Sequence, residues 1–201
     1  MNYLAHIYLS GKEKGVQIGN YVADAVKGNA YQNYPADMQK GILLHRKIDA
    51  FSDAHPIVRE FVAMGRGVFG RYAPVVTDVL LDYLLASDFK RYTSCSLHCF
   101  AYAFYFNLLS HYRYLPTRFQ RFMWHFILTN RLGRYASKEG VLQSLSIMVE
   151  YRGLRIVPQH AIDFLIENEE DWRERFDLFF FEIDEFCQRE RIYGTTGILN
   201  S

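Results

Sequence analysis

Apolar residues recur three and four positions apart along most of the chain, which is typical of amphipathic helices. No run of alternating Val and Ile residues of strand length interrupts this pattern, and Asn-Gly or Asp-Gly hairpin signals are absent. The pattern therefore predicts an all-α fold, a compact single-domain bundle of many helices. The predicted helices cover residues 2–9, 13–26, 36–54, 57–71, 75–89, 96–113, 117–132, 138–151 and 160–189.

The chain's prolines support these boundaries. Each of the five precedes a stretch with helical periodicity, where a ring with a fixed φ and no N–H is tolerated at a helix start. The segment 193–201 contains two glycines and two threonines and lacks the periodicity, so we expect a flexible tail. The predicted domain thus spans residues 1–192. The five prolines are Pro35, Pro56, Pro74, Pro116 and Pro158.

Composition fits one globular domain. The chain has 201 residues, of which 50% are hydrophobic and 22% are charged, enough to bury a core without disulfides. The N-terminus lacks a signal-peptide pattern, and no apolar run reaches the ~18 residues that a membrane span needs. We therefore expect a cytoplasmic protein that does not contact a membrane, with its three cysteines reduced. A zinc site at Cys95, His98 and Cys99 is an alternative that lacks a fourth close ligand.

Charge is unevenly distributed although the net charge is only +1. Residues 91–160 carry nine Lys or Arg and two Glu, whereas residues 161–190 carry eleven acidic residues and three Arg. One interpretation is two solvated helix faces that complement each other. The other is a basic face that receives an acidic partner. Neither resembles the strong basic excess of a nucleic-acid binder, so no nucleic-acid partner is expected.

Three polar residues share one face of the helix predicted at 36–54. His45, Asp49 and Asp53 in the stretch GILLHRKIDAFSDAHP are each four residues apart, which places them on successive turns. The stretch TDVLLDYLL repeats this spacing with two aspartates, and two more polar residues stand alone among apolar neighbours. The polar groups set among apolar residues are therefore five aspartates and two histidines: His6, Asp24, His45, Asp49, Asp53, Asp78 and Asp82.

A metal ion is the simplest compensation for so many polar groups in apolar surroundings. An unpaired buried carboxylate costs several kcal/mol. Carboxylate and imidazole ligands suit Mg²⁺, Mn²⁺ or Fe²⁺, and helices with inward carboxylates and histidines are a known way to build such sites. The motifs of serine hydrolases and of nucleotide-binding loops, GxSxG, the P-loop and GxGxxG, are absent.

Each candidate also has a purely structural interpretation. His6 resembles an ordinary core histidine, and His45 with Asp49 resembles a simple i, i+4 hydrogen bond. Asp78 follows Pro74 closely enough to sit in a first helical turn, where negative charge is favoured. Together these interpretations describe a non-enzymatic helical protein with buried ion pairs and no metal.

Four stretches carry a resemblance to a known family: MNYLAHIYLS, GNYVADAVKG, GILLHRKIDAFSDAHP and TDVLLDYLL. Their order and spacing through the first 90 or so residues resemble the acyl carrier protein phosphodiesterase family, also called holo-acyl-carrier-protein hydrolases. The resemblance implies an all-helical fold related to HD-type metal phosphohydrolases. It also leads us to expect a histidine directly after Asp82, where this chain has Tyr83.

The resemblance implies an activity and a role for individual residues. Such enzymes use a divalent metal, with manganese expected first and magnesium or iron(II) as alternatives, to release 4′-phosphopantetheine from a serine of holo-acyl carrier protein. The resemblance then implies an acidic protein as the substrate and a role in fatty acid biosynthesis and lipid metabolism. An alternative is an HD-type phosphohydrolase acting on a nucleotide or other small phosphoester. By the resemblance, Asp24, Asp49 and Arg46 would act in catalysis, and Asn2, Asn20, Lys27 and Lys47 would contact the substrate. The metal ligands that it implies are His6, Asp24, His45, Asp49, Asp78 and Asp82.

Overall fold

The computed structural model describes residues 1–193 and is helical throughout, so the all-α prediction is confirmed. The predicted flexible tail lies outside the described residues, apart from the backbone of Tyr193. The helices are α1 (Tyr3–Leu9), α2 (Lys14–Val22), α3 (Ala36–Ala54), α4 (Pro56–Phe69), α5 (Ala73–Ser87), α6 (Leu97–Ser110), α7 (Thr117–Leu128), α8 (Arg131–Arg134), α9 (Lys138–Arg152) and α10 (Pro158–Tyr193).

Most predicted boundaries are confirmed within a few residues, and two helices end early for local reasons. The helix predicted at 13–26 ends at Val22, because Ala23–Ala25 forms a 3₁₀ turn. The helix predicted at 117–132 is interrupted at Asn130, whose φ of 44° lies in the left-handed region. Each proline stands at a helix N-cap or in its first two positions, as predicted.

The core forms around α5 and α10. Eleven of the fifteen residues of α5 are buried, so this helix is covered on nearly all sides. The long helix α10 packs a row of large apolar side chains against the other helices, and its Trp172 stacks on Phe61 of α4 with ring centroids 4.0 Å apart. No described helix combines the length and the apolar character that crossing a membrane requires.

Helices α2 and α3 approach each other closely because glycines face the contact. A Cβ atom on Gly19 would lie 2.1 Å from the carbonyl oxygen of Met38, and one on Gly41 would lie 2.1 Å from that of Val16. Only glycine permits this backbone contact. The crossing brings Asn20, next to Gly19, beside His45, one turn after Gly41.

Helix α1 is attached to α5 through a buried carboxylate. The Asp82 Oδ2 atom accepts the Leu4 backbone N–H at 2.8 Å, and Oδ1 accepts that of Ala5 at 3.2 Å. These are two of the first N–H groups of α1, which have no partner within their own helix. Asp82 therefore fixes the position of α1 and, one turn later, of His6.

We expect two Gly→Ala substitutions to change the free energy of unfolding in opposite directions. Gly41→Ala should lower it by about 2–3 kcal/mol, because the methyl group forces α2 and α3 apart. Gly67→Ala in α4, where an added Cβ meets nothing within 4 Å, should raise it by about 0.5–1 kcal/mol through helix propensity. Urea unfolding followed by circular dichroism measures both; equal effects would contradict the close crossing.

Candidate metal centre

The side-chain amide of Asn20 lies at the centre of the site, fully buried between α1 and α3. Its Nδ2 atom donates to the carbonyl oxygen of His6 at 3.0 Å and to the Ser10 hydroxyl oxygen at 2.8 Å. A carbonyl oxygen can only accept, so these contacts fix which end of the amide carries the nitrogen. The Oδ1 atom must then face the opposite side.

Two imidazoles bind this single amide oxygen. The Nδ1 atom of His6 lies 3.0 Å from Asn20 Oδ1, and the Nδ1 atom of His45 lies 2.9 Å from it. Because the oxygen accepts only, both Nδ1 atoms carry a proton. The two rings stack with centroids 4.2 Å apart, and both Nε2 atoms point away from Asn20. A neutral ring in this tautomer presents the Nε2 lone pair as a ligand.

The carboxylate group of Asp49 places one oxygen atom near each of the two Nε2 atoms. Oδ1 lies 3.2 Å from His6 Nε2, and Oδ2 lies 3.1 Å from His45 Nε2. Asp24, in the 3₁₀ turn after α2, adds an oxygen 3.4 Å from His45 Nε2. Among the described residues, His6, His45 and Asp49 form a group of donors close enough to share one ion.

The two histidines differ in charge although they share one acceptor. Burial lowers the pKa of His6 to about 4, since its single carboxylate contact compensates only in part. Burial also lowers the pKa of His45, but its contacts with Asp24 and Asp49 outweigh that effect and raise it to about 9. The same contacts hold the pKa of Asp49 and of Asp24 below the usual range of a carboxyl group. At neutral pH two carboxylates thus face one imidazolium.

The donor set fits a divalent cation in spacing and in chemistry. Donors about 2.1 Å from a common ion and at right angles around it lie about 3.0 Å apart. The separations of 3.1–3.4 Å between the Nε2 atoms and the carboxylate oxygens come close to this value. The buried His6 Nε2 atom also has no hydrogen-bond partner among the described residues, because Asp49 lies near it without hydrogen-bond geometry. A cation shared by both groups would satisfy this nitrogen.

The cluster opens to solvent through a small cleft. The side chain of Asp24 is 66% exposed and that of Asp49 is 44% exposed, whereas both histidines are buried. A substrate can therefore approach from the carboxylate side. The residues that line the cleft are Met1, Asn2, Tyr3, His6, Asn20, Tyr21, Asp24 and His45.

Asp78 and Asp82 lie beside this cluster and bind other groups. Asp78 Oδ1 accepts from the Met1 ammonium at 3.0 Å, and both oxygens of Asp82 accept backbone N–H groups of α1. Burial raises the pKa of Asp82 to about 7, against the lowering effect of those N–H donors. Neither residue joins the donor group of His6, His45 and Asp49. The six predicted ligands thus fall into two sets.

The three basic residues predicted to act in catalysis or substrate binding, Arg46, Lys47 and Lys27, differ in their contacts. Arg46 Nη2 donates to the carbonyl oxygens of Val26 and Gly28, at 3.2 and 2.7 Å, and so holds the loop that follows Asp24. Lys47 forms an ion pair with Glu190 of α10. Lys27 is exposed in the loop after Asp24.

The remaining residues that the sequence singled out lie outside the donor group of His6, His45 and Asp49. Asn2 lines the cleft, and its Oδ1 atom accepts the Tyr3 backbone N–H at 2.9 Å, as an N-cap does. Asp53, one turn beyond Asp49, is exposed and does not join the donor group. Tyr83 donates to Glu169 of α10 at 2.7 Å. No group of metal donors forms at Cys95, His98 and Cys99 within the described part of the chain.

Comparison with known proteins agrees with the resemblance. The family model described as acyl carrier protein phosphodiesterase matches residues 1–183 of this chain. The acyl carrier protein phosphodiesterase of Photorhabdus laumondii is 34% identical over 176 residues, which cover 82% of this chain and 87% of the relative. That of Yersinia pestis is 31% identical over 153 residues, or 76% and 79% of the two chains. No solved structure matches.

The chain belongs to the acyl carrier protein phosphodiesterase family. It is thus a phosphoric diester hydrolase by family, which confirms the resemblance and the predicted class of enzyme.

Three residues of this family member's site were missed in the sequence. Ser10 receives the Asn20 amide, and Tyr3 and Tyr21 line the cleft. Ser10 stands four residues after His6 and could have been associated with it by spacing. The two tyrosines carry no such signal, because aromatic residues near a helix start are usually core residues.

We expect the two histidines of the metal-free protein to titrate far apart, His6 near pH 4 and His45 near pH 9. Because the pKa of His45 is raised on folding, its stabilising effect is complete below pH 6.5 and is lost as the pH rises to about 9. The loss is on the order of 1–2 kcal/mol once solvent screening of the exposed carboxylates is allowed for.

Nitrogen-15 NMR of labelled imidazoles measures both titrations and shows which nitrogen of His6 carries the proton. Asp49→Asn should bring the pKa of His45 down, whereas Asp53→Asn should leave it unchanged. Two histidines that both titrate near 6.5 would contradict the geometry.

Proposed function

We propose that this protein hydrolyses the phosphodiester that joins 4′-phosphopantetheine to a serine of holo-acyl carrier protein, and that the reaction depends on a divalent metal. The observation that carries the proposal is the shared amide oxygen of Asn20, which turns two Nε2 atoms toward one carboxylate. The names of the relatives support the carrier protein as the substrate.

His6, His45 and Asp49 would hold the ion, with Asp24 beside it. Oxygen and imidazole donors favour manganese, magnesium or iron(II) over ions that prefer thiolates. When bound, such an ion lowers the pKa of a water molecule and neutralises charge on the phosphoryl oxygens. Asp78 and Asp82 act at a distance in this proposal: they hold the start of α1 so that His6 reaches Asn20.

Asp24 is suited to orient the attacking water. It is the most exposed of the four donors and lies at the mouth of the cleft. Its pKa is lowered by the hydrogen bond with His45, so it is ionised at neutral pH and accepts a hydrogen bond rather than giving one. Arg46 keeps Asp24 in place through the carbonyl oxygens of the following loop.

The charge around the cleft suits an acidic protein substrate. The cleft is small and opens at the surface, so a phosphodiester would be presented at its mouth with the carrier protein outside. Acyl carrier proteins are acidic, and the exposed arginines of α7, Arg118 and Arg121, form no ion pair with a described carboxylate. Such free cations attract an acidic partner.

We expect manganese-dependent loss of the phosphopantetheine mass when the chelator-treated and reloaded protein is incubated with holo-acyl carrier protein. Asp49→Ala and Asp24→Ala should each lower the rate at least about a hundredfold, because they remove a ligand and the water's acceptor. The matched control is Asp53→Ala, which removes the same group one turn further along α3. Mass spectrometry of the intact carrier protein follows the reaction.

A folded protein that leaves holo-acyl carrier protein intact with every divalent ion tested would overturn the proposed substrate. Hydrolysis of a small phosphoester instead would favour the alternative phosphohydrolase.

Metal binding should release about one proton at neutral pH, because His45 is protonated in the metal-free protein and His6 is not. Affinity should then rise with pH up to about 9. Titration calorimetry in two buffers with different heats of ionisation measures the number of protons. A binding heat independent of the buffer would show that the ion does not displace the proton from His45.

A further inference from the structure

Fifty consecutive positions of the chain, residues 89–138, contain no Asp or Glu, although acids make up 22 of the 201 residues. The same positions, which include α6 and α7, hold eight Lys or Arg. A surface formed by such a segment has no carboxylate of its own to neutralise its cations, so it attracts anionic partners over a distance. The exposed side chains of α6 and α7 decide which kind of anionic partner fits.

Helix α6 exposes large apolar side chains to solvent. It contains no Asp, Glu, Lys or Arg, and Tyr102, Phe106 and Leu109 lie among its exposed residues. Their spacing of four and three positions places them on one face, and Phe106 is 70% exposed. The solvent side of a helix in a globular protein normally carries charged residues. Helix α6 is therefore apolar on its outer side as well as toward the core.

Helix α7 runs antiparallel beside α6 and is held there at both ends. In the turn between the two helices, Gln120 Nε2 donates to the carbonyl oxygen of Tyr112 at 3.2 Å. At the other end, the Tyr105 hydroxyl of α6 donates to Oδ1 of Asn130, two residues after α7, at 3.0 Å. The outer sides of the two helices thus lie next to each other.

The outer side of α7 adds two apolar groups and a cation. Trp124 stands one turn after Gln120, and Leu128 stands one turn after Trp124; they are 56% and 80% exposed. Arg121 lies one turn before Trp124, and Arg113 follows α6; both are exposed, and neither forms an ion pair with a carboxylate of residues 1–193. Exposed apolar groups that lie side by side mark interaction surfaces. The α6–α7 patch consists of Tyr102, Phe106, Leu109, Trp124 and Leu128, with Arg113 and Arg121 at its edge.

The α6–α7 patch is separate from the cleft of the candidate metal centre. None of the residues that line the cleft belongs to α6 or α7. The rings of Phe119 and Phe126, on the inner side of α7, pack on Tyr21 with centroids 5.0 and 5.2 Å apart, so the outer side of α7 lies a helix diameter away from the cleft wall. A carrier protein that presents its phosphodiester at the mouth of the cleft need not cover the patch.

A second copy of the chain is a poor match for the patch. The contact in a symmetric dimer sets the same residues of both copies against each other. That contact would bury Arg113 and Arg121 of both copies on a surface that offers them no carboxylate, and like charges that face each other are unfavourable. The partner that fits is apolar in its depth and anionic at its surface.

We propose that the α6–α7 patch binds the surface of a membrane that contains anionic lipids. Tyr and Trp are enriched at the headgroup level of a bilayer, and Phe and Leu enter the acyl boundary below it. Arginines at the edge of the patch would meet lipid phosphates. From the sequence we expect no membrane contact because no apolar run is long enough to span a bilayer, and no described helix is able to span one. A contact at the membrane surface needs no such helix, and it does not depend on the proposed function.

The probe is a vesicle of phosphatidylcholine with about one third phosphatidylglycerol, added to the full chain. We expect the protein to sediment with these vesicles and not with phosphatidylcholine alone, and to be released by about 0.5 M salt, which screens the lipid charge. The emission of Trp124 should shift to shorter wavelength on binding, whereas the second tryptophan, Trp172, is already buried and should not respond. Trp124→Phe should abolish the shift and keep most of the binding.

Variants with a matched control locate the contact. Phe106→Gln should weaken binding to the anionic vesicles by about tenfold, and Arg121→Gln by about fivefold. The control is Phe181→Gln on α10, which should leave binding unchanged: Phe181 is 72% exposed, as Phe106 nearly is, but has Glu182 and Glu185 beside it. Because all three positions are exposed, each variant should melt within about two degrees of the wild type.

Absence of binding to the anionic vesicles would overturn the proposal, and so would equal binding of Phe106→Gln and the wild type. A dimer in sedimentation velocity that dissociates in Phe106→Gln, without any vesicle binding, would assign the patch to a second copy instead. A higher KM of Phe106→Gln for holo-acyl carrier protein in lipid-free solution, with vesicle binding unchanged, would assign it to the carrier protein.

The vesicle experiment is independent of the test of the proposed function. We expect Phe106→Gln to cleave holo-acyl carrier protein in lipid-free solution with the kcat and KM of the wild type. A wild type that binds anionic vesicles through Phe106 but leaves holo-acyl carrier protein intact keeps the membrane surface and loses the proposed substrate.

Discussion

The site depends on one hydrogen-bond acceptor, the side-chain oxygen of Asn20. Its partner nitrogen is tied to a carbonyl oxygen and to Ser10, so the amide cannot turn over. Both imidazoles must then donate from Nδ1, and both Nε2 atoms point toward Asp49. The arrangement requires α2 and α3 to touch backbone to backbone, which Gly19 and Gly41 allow. The orientation of the two imidazole rings in the cleft is thus set by the packing of α2 against α3 beneath them.

The same residue type performs two tasks within this small region. Asp49 faces two imidazoles and is open to solvent on one side, so it remains ionised and can bind a cation. Asp82 is fully buried and faces the start of α1, where backbone N–H groups need an acceptor. The first carries the proposed chemistry, and the second fixes the position of His6.

Charge explains why the cluster suits a metal better than a set of ion pairs. Two carboxylates face one protonated histidine, so the metal-free cluster keeps a net negative charge. A divalent cation would compensate both carboxylates and free His45 from its proton.

Most of the helices and part of the candidate site could be predicted from the sequence. The i, i+4 spacing identified His45 with Asp49, and the apolar periodicity predicted nearly every helix, including α3 at its observed bounds. The spacing could not show that the side chain of Asp53 is exposed to solvent. Nor could it show that Asp82 accepts backbone N–H groups of α1, a helix far away in the sequence. Arg46 follows His45 directly, but a step of one residue turns it to another face of α3, toward the loop after Asp24.

The most direct test is electron spin-echo spectroscopy of the Mn²⁺-loaded protein, prepared with and without nitrogen-15 histidine. The account predicts modulation from two coordinated imidazoles in the wild type and from one in His6→Gln, with no change on His55→Gln, a buried histidine outside the donor group. Bound Mn²⁺ without any nitrogen coupling, or no bound Mn²⁺, would contradict the central claim that Asn20 prepares both rings for one metal ion.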